Sequence, residues 1–223
     1  MKEFFDSVRA DFGSLSTKQV EGIEVLFAAC NGLPAMHAAY ILATAWHETA
    51  RTMQPIYERG SVAYFNKYDA GTPIGKRLGN TLKGDGFKFR GRGYVQITGR
   101  TNYLRASNAN GVDLVGAPDR ALEPAIAAKI IVDGMCRGWF TGKKLANYDN
   151  FTAMRRVVNG TDKAALIAGY ATKFQTALAK APQPLPDTPV VAGGKTDIAM
   201  TPPAATGLLA RFRALFGITA GRA

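Results

Sequence analysis

Apolar positions along this chain recur mostly at helical spacing. Between residues 36 and 52, Ala38, Ile41, Leu42, Ala45 and Trp46 make one stripe, which predicts a buried helix. Glu48 lies seven positions past Ile41, nearly two turns on, so this helix carries an acid on or beside its apolar face. Residues 1 to 33 predict helices that cover the core. Ser16 and Gln19 read as a capping box ahead of Val20, Ile23, Val25, Leu26 and Phe27, and Asn31-Gly32-Leu33-Pro34 ends that helix. The same pattern returns over residues 121 to 140, with Ile126, Ala127, Ile130, Ile131 and Met135 inward, Pro124 in the first turn and Gly138-Trp139-Phe140 at the close. Residues 150 to 160 predict a short helix with a glycine stop. Asp162 should cap a last helix from Lys163 to about Ala181, with Leu166, Tyr170, Phe174 and Leu178 on its inner face.

Two stretches lack this periodicity. Residues 54 to 90 hold Pro55, Gly60, Gly71, Pro73, Gly75, Gly79, Gly84 and Gly86, interleaved with Tyr57, Tyr64, Phe65 and Tyr68. That is long for a loop in a compact domain, and the aromatics argue against disorder. The rings suit either packing onto the core or stacking on sugar faces. Residues 90 to 103, RGRGYVQITGRTNY, combine Gly91, Gly93 and Gly99 with the β-prone Tyr94, Val95, Ile97 and Thr98, so a short extended segment is predicted. Gln96, Thr98, Asn102 and Tyr103 can hydrogen-bond a polyhydroxyl ligand. The Gly-x-Gly here lacks the strand and helix context of a dinucleotide site.

Past Ala181 the composition changes. Six prolines and Gly193-Gly194 mark residues 182 to 206 as a linker, and GLLARFRALFG (207–217) reads as a basic amphipathic helix with Leu208, Leu209, Phe212, Leu215 and Phe216 on one face. The expected organisation is a folded domain over 1–181, a linker over 182–206 and a basic tail over 207–223. The tail suits an anionic membrane surface, or docking on the domain or a partner.

Charge adds a partner class. The 223 residues carry a net charge of +11, which predicts an anionic partner: nucleic acid, a membrane surface or an acidic wall polymer. Eight basic residues and one acid, Asp85, lie between Lys76 and Arg105. They form a nucleic-acid stripe, a solvated face or a grip on an anionic polymer. With two cysteines, Cys30 and Cys136, and two histidines, His37 and His47, a zinc site has little to build on, and both thiols are expected reduced. The N-terminus has no secretory h-region and no run of about 18 apolar residues occurs. The chain is therefore expected to be made in a cytoplasm and to need a separate route to any substrate outside it.

Glu48 in an apolar setting, with Glu58 ten residues on past Pro55, is a pair suited to glycosidic-bond chemistry: one acid to protonate a leaving oxygen, one carboxylate to activate water. Three stretches extend that reading. AWHETA (45–50), GRGYVQITGRTNY (91–103) and RRVVNG (155–160) resemble, in order, the signature regions of family-19 glycoside hydrolases, and the compact spacing and basic charge are most similar to their phage endolysin branch. The resemblance covers roughly residues 35 to 180. It implies a mostly helical, lysozyme-like fold with two lobes, a central substrate cleft and little or no sheet. It implies Glu48 as general acid, Glu58 as general base with Asp69 and Asp85 as competitors, and Thr98 as a holder of the attacking water. Gln96, Asn102, Tyr103, Asn159 and His47 are the implied cleft residues, His47 also fitting a packed, hydrogen-bonded role. Arg155 and Arg156 should tie cleft elements to acid partners. The implied chemistry is inverting hydrolysis without metal or cofactor, with the carboxyls about 6.5–9.5 Å apart. The implied substrate is the β-1,4 glycan of peptidoglycan, reached in the periplasm by a monomeric lysis enzyme released through a pore. Chitin hydrolysis by the same residues, and a non-catalytic wall-binding or virion protein, are the alternatives.

Overall fold

Most of the long helices form where the apolar stripes place them. The computed structural model describes residues 1–182, so the basic tail and nearly all of the linker lie outside the described residues. Helix α1 (Lys2–Phe12) and helix α2 (Thr17–Ala29) cover one side of the core. The capping box at α2 is present: Gln19 N–H donates to Ser16 Oγ at 3.3 Å, and Ser16 N–H donates to Gln19 Oε1 at 2.8 Å. Helix α3 (Ala35–Glu48) is buried at every residue from Ala38 to Trp46.

Helix α3 ends four residues before the predicted 52. Ala50, Arg51 and Met53 adopt left-handed backbone, with φ of 50°, 70° and 53°. Such residues cost on the order of 1 kcal/mol or more each unless their surroundings hold them. Helix α2 supplies the hold. Gln19 Nε2 donates to the Arg51 carbonyl at 2.9 Å, and Gln54 Nε2 donates to the Lys18 carbonyl at 2.6 Å. A Cβ on Gly22 would collide with the Met53 carbonyl, so glycine at that position lets α2 lie against the loop.

The aperiodic stretch folds into short helices, not a loop: α4 (Val62–Phe65), α5 (Pro73–Leu78) and α6 (Asp85–Lys88), with a 3-10 turn at Asn66–Tyr68. Each is too short to show a helical period in sequence. They surround a small apolar cluster of Phe65, Tyr68 and Leu78, flanked by Tyr64, Ile74 and Phe87 and distinct from the main core. Strand β1 (Ile56–Tyr57) pairs antiparallel with β2 (Arg92–Gly93), Ile56 opposite Gly93 and Tyr57 opposite Arg92. Of the extended segment predicted within 90–103, Arg92–Gly93 is strand, while Tyr94, Val95 and Gln96 form a tight turn. Arg92 and Ile97 exchange backbone hydrogen bonds of 3.2 and 2.9 Å, and Gln96 at its apex has φ 57°.

Helices α7 (Arg100–Asn110), α8 (Pro124–Arg137), α9 (Phe151–Met154) and α10 (Ala164–Leu178) complete the main body. Pro124 occupies the first turn of α8 and Gly138 ends it in left-handed backbone. Two details differ from expectation. Asp162 does not cap α10; Lys163 stands at the cap with φ 57° and no side-chain bond, while the Asp162 carbonyl accepts from Arg155. Leu166 is 45% exposed, because the inner face of α10 runs through Ile167, Ala171, Phe174 and Leu178. That face packs along α3. Trp46 is 3% exposed between Phe12 and Phe174, a core residue as predicted. The described residues form a mostly α fold with a main helical body, a smaller second cluster and a single two-stranded ladder. Cys30 is buried, Cys136 half-buried, and both are free thiols.

Candidate active site

Glu48 is the last residue of α3 and is 8% exposed. Its setting is not the apolar one expected from sequence. Arg155 Nη1 donates to Glu48 Oε1 at 2.9 Å, with the two side chains 1% and 4% exposed. The 3-10 turn Arg155–Val157 follows α9, which packs on α10, and α10 packs on α3. That chain of contacts delivers the guanidinium to the end of α3. Arg155 Nε donates at 2.9 Å to the Asp162 carbonyl, which fixes the plane of its fork. A buried carboxylate held this way is kept only with its partner. Tyr40, earlier on the same helix, has a buried hydroxyl without a hydrogen bond, and burial pushes its phenol far up.

Glu58 sits in a different environment. It directly follows β1, and its N–H donates to the Gly91 carbonyl at 2.7 Å. Gly91 N–H donates in return to Glu58 Oε2 at 3.3 Å. A Cβ at Gly91 would come within 2.7 Å of Gln96 Oε1 and 3.3 Å of the Glu58 Cβ, so a larger residue would have to displace the Gln96 side chain. Glu58 Oε1 is buried and makes no hydrogen bond of good geometry. Burial pushes the Glu58 carboxyl from the usual 4.5 up to about 7, against the smaller opposing effects of the Gly91 N–H, Lys67, the Tyr64 hydroxyl and Arg90. Tyr64 and Tyr68 belong to the small cluster. One acid is therefore rooted in the main body and the other against the second cluster.

The polar residues predicted for the site divide between these two acids. Gln96 Nε2 donates to the Ile56 carbonyl at 3.0 Å, two residues from Glu58. Thr98 Oγ1 donates to the Gln96 carbonyl at 2.9 Å, and Asn102 Nδ2 donates to the Thr98 carbonyl at 2.9 Å. These three form one chain beside Glu58. Asn159 follows Arg155, donates its N–H to the Arg155 carbonyl at 2.9 Å and is 5% exposed. His47 is half-buried beside Glu48 on α3, its ring 6.5 Å from that of Tyr170.

Several expectations fail on geometry. Tyr103 is not a cleft residue: it is fully buried, its hydroxyl accepting from Arg92 Nη1 and donating to the Arg90 carbonyl, both at 2.8 Å. Its place on α7, one turn after Gly99, points it into the core. Arg156 is exposed, and among the described residues no acid lies within ion-pair distance of it; Arg155 alone takes the acid partner. Asp69 and Asp85 are structural acids. Asp69 Oδ1 accepts from Gly86 N–H at 2.8 Å, while Asp85 takes a two-pronged grip from Arg100 at 2.9 and 2.7 Å and caps the Thr81 and Leu82 N–H groups. Two members of the basic stripe turn inward, while Lys76, Arg77, Lys83 and Lys88 are exposed. Arg92 is buried against Asp119, and Arg100 is committed to Asp85.

Sequence reasoning missed the group around Glu58: Tyr64, Lys67, Tyr68 and Arg90. The tyrosines clustered in an aperiodic stretch were the available signal. The Glu48–Arg155 contact spans 107 positions, and no local pattern marks it.

Comparison with known proteins bears on the fold. No family model matches the chain. A 40-residue stretch is 48% identical to Chitinase 8 of Oryza sativa subsp. japonica, covering 18% of this chain and 15% of that protein. Among solved structures, a bacterial family 19 chitinase superimposes with a TM-score of 0.56 at 22% identity, over 83% of this chain and 96% of that one. Chitinase C from Streptomyces griseus HUT6037 superimposes with a TM-score of 0.55 at 18% identity, over 80% and 75% of the two chains.

Proposed function

We propose that this chain, which has the fold of the family 19 chitinases, is a glycoside hydrolase that cuts the β-1,4 glycan strands of peptidoglycan. The observation that carries the reading is the pair of buried acids in contrasting environments, Glu48 ion-paired with Arg155 and Glu58 desolvated beside the small cluster. In the proposed reaction Glu48 gives a proton to the leaving glycosidic oxygen as the C1–O bond breaks. Water attacks C1 from the other face and passes its proton to Glu58. A carboxylate titrating at about 7 is a stronger base than an ordinary one, and Glu58 takes the proton of the attacking water. Thr98, at the end of the Gln96 turn, supports that water, and Gln96, Asn102 and Asn159 supply hydrogen bonds to sugar hydroxyls.

The desolvation of Glu58 favours a second assignment with the roles exchanged: Glu58, protonated up to about pH 7, as the acid, and the ion-paired Glu48 as the base. Chemical rescue separates the two. Azide replaces the missing activated water in a variant lacking the base, whereas a substrate with an activated aryl leaving group bypasses a missing acid. The proposed assignment predicts azide rescue of Glu58→Ala and leaving-group rescue of Glu48→Ala. The opposite pattern overturns it.

The net charge of +11 supports an anionic wall polymer as the substrate, and the names of the relatives favour chitin as the competing one. Reducing-end release measured side by side on purified peptidoglycan and on chitin decides between them; faster turnover of chitin refutes the peptidoglycan reading. Lysis of a bacterial host from the wall side, with residues 207–223 approaching an anionic membrane, completes the proposal.

A further inference from the structure

A cation that the hydrolytic steps do not use stands beside Glu58. Arg90 immediately precedes Gly91, whose N–H and carbonyl both bond to Glu58. Its guanidinium lies 4.2 Å from the ring centre of Phe87 and 5.7 Å from that of Tyr57. Nη1 donates to the Phe87 carbonyl at 3.0 Å, which uses one of five guanidinium N–H donors. Arg90 is half-buried. Tyr57, the residue before Glu58, is 49% exposed and flanks it. The neighbouring arginines of the segment have acid partners: Arg92 pairs with Asp119 and Arg100 with Asp85. Among the described residues no carboxylate lies within ion-pair distance of Arg90.

A guanidinium laid on an aromatic face is fixed in plane, and its free edge matches the two oxygens of a carboxylate. We propose that Arg90 is a specificity-determining residue that binds a carboxylate carried on the glycan next to the scissile bond. This rests on the glycosidase reading above and gives that reading its substrate class: an acid-substituted glycan over a neutral one. The exposed Tyr57 ring supplies an apolar surface for the sugar that bears the acid. Two sources offer the same chemistry in peptidoglycan, the lactyl ether of the muramyl sugar and the carboxyls of the attached peptide. Chitin has neither.

The test uses the full chain and three preparations of one glycan: strands with peptide, peptide-free strands with free lactyl carboxylates, and peptide-free strands whose carboxylates have been amidated. Charge recognition should make KM on amidated strands about tenfold higher than on at least one charged preparation, with kcat little changed. The charged preparation with the lower KM identifies the source. Arg90→Gln should remove the difference by raising KM on that preparation alone, and Arg90→Lys should restore part of it. Equal KM on all three preparations for the unaltered protein overturns the proposal. So does Arg90→Gln lowering kcat equally on all of them, since that marks a residue which only positions Glu58. The substrate arm needs no variant, so a poorly folding Arg90→Gln leaves it decisive. Absence of new reducing ends from every preparation is a different result: it refutes the glycosidase reading itself.

Discussion

Replacing Glu58 by glutamine isolates the free-energy cost of burying its carboxylate. Below pH 4.5 the carboxyl is protonated in both the folded and the unfolded chain, and burial costs little. Between 4.5 and about 7 the unfolded chain releases this proton while the folded chain keeps it. The folded state then binds more protons than the unfolded one, so stability falls as pH rises through this window and levels off above it. At about 1.4 kcal/mol per pH unit, the full interval is worth about 3 kcal/mol. Glutamine has the same shape and no charge, and its amide oxygen can still accept from Gly91 N–H. Any packing cost of the substitution is independent of pH, so the slope carries the test. Urea unfolding followed by the fluorescence of Trp46 and Trp139 should show Glu58→Gln gaining about 3 kcal/mol on the unaltered protein between pH 4.5 and pH 8. In thermal scans the same gain is about 6–12 °C for a chain of this size. A stability difference that stays flat across this range refutes the desolvated carboxyl, and with it the contrast between the two acids.

The buried ion pair predicts strong coupling. Arg155→Met should lower stability by about 3–5 kcal/mol because it leaves Glu48 buried without its partner, and adding Glu48→Gln should recover part of that loss; additive effects in the double-mutant cycle count against the pair. Asp85→Asn should destabilise by about 2–3 kcal/mol through loss of the Arg100 grip, with hydrogen exchange speeding up first at Thr81 and Leu82. The pH profile of catalysis should not change in that variant, whereas a base at Asp85 would change it. Ser16→Ala should cost about 1 kcal/mol by removing the α2 cap, read as a lower urea midpoint.

Much of the helical body was legible because each long helix buries a stripe. The α2 cap, the proline in the first turn of α8 and its glycine stop were written in adjacent residues and came out as read. What was not legible depended on partners far away in sequence. The early end of α3 is imposed by Gln19 and Gly22 of α2, which hold Arg51 and Met53 in backbone that their own side chains disfavour. The small cluster uses helices of four to six residues, fewer than two turns each, where periodicity cannot register. Glu48 and Glu58 were identifiable as acids, but their environments were not. The apolar stripe suggested a Glu48 without a charged neighbour, whereas Arg155 pairs with it in the buried site. Tyr103 looked like a ligand residue because its motif is polar, yet its hydroxyl closes a core contact between Arg92 and the Arg90 carbonyl.

If Glu48 and Glu58 together hydrolyse a β-1,4 glycan, loss of either carboxyl should stop the reaction. The most direct test is reducing-end release from purified peptidoglycan by the full chain, by Glu48→Gln and by Glu58→Gln, with the products identified by mass. Hydrolytic products with free reducing ends are expected for the unaltered protein, with a loss of about 100-fold or more in each variant. Undiminished release by Glu48→Gln, or products ending in a 1,6-anhydro sugar, would contradict it.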